Sequence, residues 1–92
     1  MPLLHDGAVL DGMTSGQWLR RARKSRRLTQ AQLSERSGLG VNYVSHLERD
    51  ERALTKLATV VLLADGLDIA REHVWMVALR DFERRERARA KK

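Results

Sequence analysis

The chain contains no cysteine, which removes a disulfide scaffold, a thiolate zinc site and a cysteine nucleophile together. No run of apolar residues approaches the roughly 18 that a membrane-spanning helix needs. The opening segment MPLLHDGAVLDGM has neither a basic leader region nor a long apolar stretch, so a cytoplasmic location is expected. Strand-like alternation, internal repeats and low-complexity tracts are missing apart from a basic end. There is also no Ser-His-Asp set, glycine-rich phosphate loop or metal-ligand spacing, and His5, His46 and His73 are dispersed. An enzyme is therefore not expected, nor a cofactor or metal. A chain of 92 residues is short for a large catalytic core but sufficient for one compact helical unit.

What is present is positive charge. Eighteen Lys and Arg face twelve Asp and Glu, a formal net charge of +6, and such a surface attracts polyanions through its field and through counterion release. By itself this points as well to an anionic membrane surface as to nucleic acid. The spacing of the other residues has to decide.

Residues 1–13 hold the only proline and two glycines without sustained periodicity, and read as a flexible arm. Thr14 with Gln17 then matches a capping box, and Trp18, Leu19 and Ala22 supply an apolar stripe, predicting a helix from about Ser15 to Arg26. Thr29 with Gln32 forms a second capping box, opening a helix through Ser37 that Gly38 stops. Val41, Val44 and Leu47 mark a third helix from Val41 to about Arg49. Thr55 is placed to cap a fourth, with Leu57, Val60, Val61 and Ala64 on its inner face and Gly66 at its end. Asp68 is placed to cap a fifth, apolar from Val74 to Phe82 and charged from Glu83 to Lys92. The expectation is an all-α bundle of five helices.

The stretch Gln30 to Glu48, QAQLSERSGLGVNYVSHLE, carries the most specific signal. Two short helices crossing steeply must approach closely, which calls for a small residue such as Ser34 where they meet. The turn between them needs a residue that accepts a left-handed backbone, which Gly38 supplies, and Leu39 can plug the corner.

With these features the chain from about Thr14 to Ile69 resembles the phage-repressor, Cro-like (XRE-type) family of helix-turn-helix regulators. RKSRRLTQAQLSERSGLGVNYVSHLERDER looks like that family's signature, through LTQ, a glycine eight residues after the Gln, and the following LER. It departs from the pattern at Ser34, where alanine is usual, and at Gly40, where a Ser or Thr cap is usual. The resemblance implies a lambda-repressor-like fold, with residues 14–69 as the DNA-binding domain. It implies that Gln30, at a helix N-terminus that favours anions, contacts a DNA phosphate. The third helix would present Val41, Asn42, Ser45 and His46 to base edges, with Asn42 matching adenine N6 and N7 and Val41 a thymine methyl. Tyr43 would contact a phosphate or pack sideways, and Arg49 and Arg52 would grip the backbone. Arg23 and Glu48 would form a partly buried ion pair, which makes Arg23 structural. Arg20, Arg21, Lys24, Arg26 and Arg27 make the first helix very basic, and some of them would line the phosphates.

The last helix, in residues 70–92, is too apolar for one small core, and Trp75, Leu79 and Phe82 share a stripe that a second copy could cover. The resulting expectation is a sequence-specific regulator, a repressor in the first instance, binding a near-palindromic operator on double-stranded DNA as a homodimer. The competing reading is an antitoxin-like module whose C-terminal helix binds a partner protein, with DNA binding for autoregulation.

Overall fold

The computed structural model describes residues 12–90, in five helices: α1 Ser15–Ser25, α2 Gln30–Ser37, α3 Val41–Glu48, α4 Leu57–Leu67 and α5 Arg71–Ala90. No strand occurs among the described residues. The all-α, five-helix architecture expected from the sequence is the one observed. The arm expected over residues 1–13 lies outside the described residues except for Gly12 and Met13, and Met13 packs against the core.

Both capping boxes form. The Thr14 hydroxyl accepts from the Gln17 N–H while the Gln17 side chain takes the Thr14 N–H, and Thr29 and Gln32 repeat the arrangement on α2. Each box satisfies two backbone donors that a helix start otherwise leaves open. The starts of the last two helices differ from expectation. The chain is still extended at Lys56, so Thr55 sits one residue too early for its hydroxyl to reach the first turn, and α4 begins at Leu57 without a side-chain cap. Asp68 belongs to the end of α4 rather than the start of α5.

How the helices stop explains that second difference. After α1, α3 and α4 the chain passes through a left-handed residue that is not glycine: Arg27 (φ 57°), Asp50 (φ 60°) and Asp68 (φ 58°). In each case the next N–H returns to the carbonyl five residues back: Leu28 to Arg23, Glu51 to His46 and Ile69 to Ala64. This is the Schellman arrangement, and a left-handed non-glycine residue costs on the order of 1 kcal/mol against glycine. Only α2 ends on a glycine, Gly38 at φ 83°. Gly66, expected to terminate α4, is instead buried as its penultimate residue. A Cβ there would stand 3.0 Å from the Ser37 Cβ and 3.2 Å from Leu33 Cδ1, so the glycine serves close approach of α4 to α2.

A single hydrophobic core joins all five helices. Trp18, Leu19 and Ala22 of α1, Leu33 of α2, Val44 and Leu47 of α3, Val60, Leu63, Ala64 and Leu67 of α4, and Val74, Val77 and Ala78 of α5 are buried in it. Leu57, expected on the inner face of α4, is 63% exposed; it is the first residue of the helix, directly after the extended Lys56. Two carbonyls at the α4 C-terminus are closed by arginines from elsewhere: Arg36 Nε donates to Gly66 O at 2.8 Å and Arg26 Nε to Leu67 O at 2.5 Å. Cations are favoured at that end of the helix, and α4 has no basic residue in its own last turn.

Polar ties fix the remaining ends. Asp50 accepts from the Thr14 hydroxyl at 2.7 Å and from the Gly16 N–H at 3.1 Å, pinning the α3–α4 turn to the start of α1. Gly16 permits this approach, since a Cβ there would lie 2.4 Å from Leu47 O and 2.6 Å from Asp50 Oδ1. On α5, buried Asp81 accepts from Ser15 Oγ at 2.9 Å, from Arg84 at 2.5 Å and from Arg85 Nε at 3.1 Å. Burial pushes the Asp81 carboxyl up, but the hydrogen bonds from Arg84 and Ser15 and the Arg85 charge outweigh it and hold the group below its ordinary value.

Two outcomes follow. Gly16→Ala should lower stability by about 1 to 3 kcal/mol, the overpacking range, read as a lower urea midpoint at unchanged slope. Because Asp81 is more acidic folded than unfolded, its contribution is complete above the ordinary carboxylate range and is lost as pH falls through the folded value. Thermal scans should show Tm falling more steeply below about pH 4 in the wild type than in Asp81→Asn, which should start from a lower Tm at pH 7.

Candidate nucleic-acid interface

Helices α2 and α3 are joined by Gly38, Leu39 and Gly40. The Gly38 N–H returns to Ser34 O at 2.9 Å, and Leu39 folds back against the core. Ser34 does more than leave room. Its hydroxyl donates to Leu39 O at 2.5 Å, while the Leu39 N–H is taken by Ser37 Oγ at 3.2 Å, so two serines hold the turn from both sides. An alanine at position 34 could not do this. Gly40 caps α3 with extended backbone and no side-chain bond, leaving that N-terminus uncovered.

The geometry of α3 divides its side chains cleanly. Val44, Leu47 and Glu48 are buried. Val41, Asn42 and Arg49 are exposed, and Ser45 and His46 are half-exposed. The four residues expected to face base edges thus lie on one outward strip, since positions one turn apart share a helix face. Val41 is 42% exposed, an apolar side chain left in water at the first turn. Tyr43 turns sideways: it packs against the core, and its hydroxyl lies 3.3 Å from Thr59 Oγ1.

Behind this strip, Arg23 and Glu48 meet. Arg23 Nε donates to Glu48 Oε2 at 2.6 Å and an Nη to Oε1 at 3.0 Å, with side chains 10% and 2% exposed. The other Nη donates to Leu28 O at 2.7 Å. Gln30, expected at a phosphate, donates its amide to Glu48 Oε1 at 3.0 Å. Its side chain therefore bridges the start of α2 to the end of α3, and the helix N-terminus rather than the amide is what it leaves toward solvent.

The basic residues divide in the same way. Arg20, Arg21 and Lys24 stand exposed on α1, and Arg52 is exposed after α3. Arg26 is committed to Leu67 O and is not among the outward charges. Arg49 lies 3.2 Å from Glu51, and the same carboxylate oxygen is 2.5 Å from His46 Nδ1. Sequence reasoning overlooked Glu51. Its one signal was position, immediately after the left-handed Asp50, which could not be foreseen without glycine there. The expected interface residues Trp75, Leu79 and Phe82 are 45%, 37% and 48% exposed, and with Leu54, Thr55 and Ala78 they line a shallow apolar groove.

A helix-turn-helix family model matches residues 19–73. The chain belongs to the helix-turn-helix family. It is 42% identical over 57 residues to the immunity repressor protein of Bacillus phage phi105, a match covering 62% of this chain and 39% of that relative. The resemblance to phage repressors of the XRE type is thereby supported from outside the motif itself, while the chain spans well under half the length of that relative. No solved structure matches it significantly. Among the described residues no group of three His, Cys, Asp or Glu side chains is placed to hold a metal ion, and no helix is long and apolar enough to cross a membrane.

For the helix-turn-helix core, Glu48→Ala would strand a buried guanidinium. We expect a loss of about 3 to 5 kcal/mol by chemical denaturation, whereas replacing Arg23 and Glu48 together with Met and Leu should recover most of it.

Proposed function

We propose that this protein binds double-stranded DNA sequence-specifically, as a homodimer on a near-palindromic operator, and acts in the cytoplasm as a transcriptional regulator that represses. The observation that carries the reading is the two-sidedness of α3. Its inner residues Val44 and Leu47 anchor it in the core, and Val41, Asn42, Ser45 and His46 point away from the protein together. A major groove about 12 Å wide admits one helix, and α3 is the short, outward helix of a helix-turn-helix pair. The relation to a protein named as a phage immunity repressor favours repression.

In this reading Asn42 pairs with adenine, Val41 meets a thymine methyl, and Ser45 and His46 touch neighbouring base edges. The free N–H groups at the α2 N-terminus, Arg49 and Arg52 position the helix on phosphates, while the Gln30 amide stays on Glu48 and Tyr43 stays beside Thr59. Residues 14–69 form the reading unit, and residues 70–92 serve as the dimerisation helix with a basic end. The groove over Trp75, Leu79 and Phe82 is assigned to a second copy. A twofold axis would place two α3 helices about one DNA turn apart, roughly 34 Å, so that two weak half-site contacts add.

A salt titration of binding to genomic fragments, with stoichiometry measured on the bound DNA, tests this. A subset of fragments should bind tightly as a 2:1 complex. Asn42→Ala should weaken those by roughly 10- to 100-fold, the worth of one bidentate base contact, while leaving nonspecific affinity unchanged. Uniform binding of all fragments, indifferent to Asn42→Ala, would overturn the proposal.

A further inference from the structure

His46 does not face the outside alone. Its Nδ1 is 2.5 Å from Glu51 Oε1, and that oxygen also accepts from an Nη of Arg49 at 3.2 Å. The backbone sets up the juxtaposition. Left-handed Asp50 turns the chain back, and the Glu51 N–H closes on His46 O at 2.9 Å. The turn is itself held, because the Asp50 carboxylate accepts from Thr14 Oγ1 and the Gly16 N–H and lies 3.6 Å from Arg85. Glu51 is therefore delivered over the last turn of α3 by contacts to α1 and α5 and not by its own side chain.

The hydrogen bond to His46, working against desolvation and helped by the Arg49 charge, holds the Glu51 carboxyl below its ordinary value. An ionised carboxylate only accepts hydrogen bonds, so the ring nitrogen that faces it must carry the hydrogen. In a neutral imidazole the other nitrogen then carries only a lone pair. For His46 that nitrogen is Nε2.

We infer that Glu51 is a specificity-determining residue: by holding the neutral His46 ring in its Nδ1–H tautomer it makes Nε2 an acceptor that selects adenine or cytosine over guanine or thymine. The inference rests on the proposed docking of α3 in the major groove. There adenine offers its N6 amino group and cytosine its N4 amino group as donors, whereas guanine O6 and N7 and thymine O4 present lone pairs that would oppose the lone pair on Nε2. Without Glu51, the imidazole is free to take the Nε2–H tautomer, and the discrimination is lost or reversed. Glu51 acts here as a positioning residue, through His46.

The test compares wild type, His46→Ala and Glu51→Ala at pH 8 by two readouts. Glu51 is exposed, so Glu51→Ala should keep the fold, checked by an unchanged thermal midpoint. An alanine removes the acceptor, which a glutamine amide oxygen would retain. Nitrogen-15 NMR of the His46 ring should show the Nδ1–H tautomer in wild type and a shift toward Nε2–H in Glu51→Ala. Selection from randomised DNA, scored as the ratio of base preferences, should show adenine or cytosine favoured by about five- to tenfold at the position whose preference His46→Ala abolishes, in line with one hydrogen bond. In Glu51→Ala that ratio should fall toward one while the position read by Asn42 keeps its preference. The ratio is the proper readout, because removing a negative charge beside Arg49 raises affinity for every sequence alike. An Nε2–H tautomer in wild type, or an unchanged ratio in Glu51→Ala, would sink the Glu51 inference and leave the docking of α3 standing. Absence of any base preference in wild type would remove both.

Discussion

The arrangement of the helix-turn-helix depends on the contact between Arg23 and Glu48. Arg23 reaches Glu48 at the end of α3 and Leu28 O in the turn before α2, and Gln30 at the start of α2 reaches the same carboxylate. Three helices are thereby oriented around one buried pair. A guanidinium and a carboxylate have complementary planar forks, so the contact defines an angle as well as a distance. Buried ion pairs are poor sources of net stability, because desolvation offsets most of the attraction. What this one supplies is alignment, and a helix that must lie in a groove needs its orientation held more than it needs additional burial.

The other polar contacts extend the same logic to the periphery. Asp50 ties the turn after α3 to the first residues of α1, and Arg85 of α5 approaches the same carboxylate. Arg85 also reaches Asp81, at the same carboxylate oxygen that Ser15 of α1 meets. A continuous line of charge thus runs from the last helix to the loop that carries Arg49 and Glu51. Arg26 and Arg36 close the carbonyls of α4. Part of a strongly basic composition is consequently spent on holding the protein together, and the outward field is narrower than the net charge suggests.

Much of this was legible in the sequence because it is local. Capping boxes at Thr14 and Thr29, the apolar periodicities of all five helices, and the left-handed turn at Gly38 each involve residues within a turn or two of one another, so composition and spacing suffice to place them. The exposed strip of α3 follows from the same periodicity. The errors came where a residue has more than one use. Gly66 reads as a stop signal, yet it is a contact point for Leu33 and Ser37, far away in the chain. Asp68 reads as a cap, yet it ends the helix before it in a conformation that glycine usually takes.

The sequence by itself determined the helices, their order and the pair of helices with the tight turn, since each depends on short-range spacing that water enforces. Tertiary structure alone decided which basic residues remain outward, which glycine marks a close approach, and that Glu51 sits against His46. Those outcomes depend on where a side chain ends up relative to residues up to 41 positions away, and no local pattern encodes that distance.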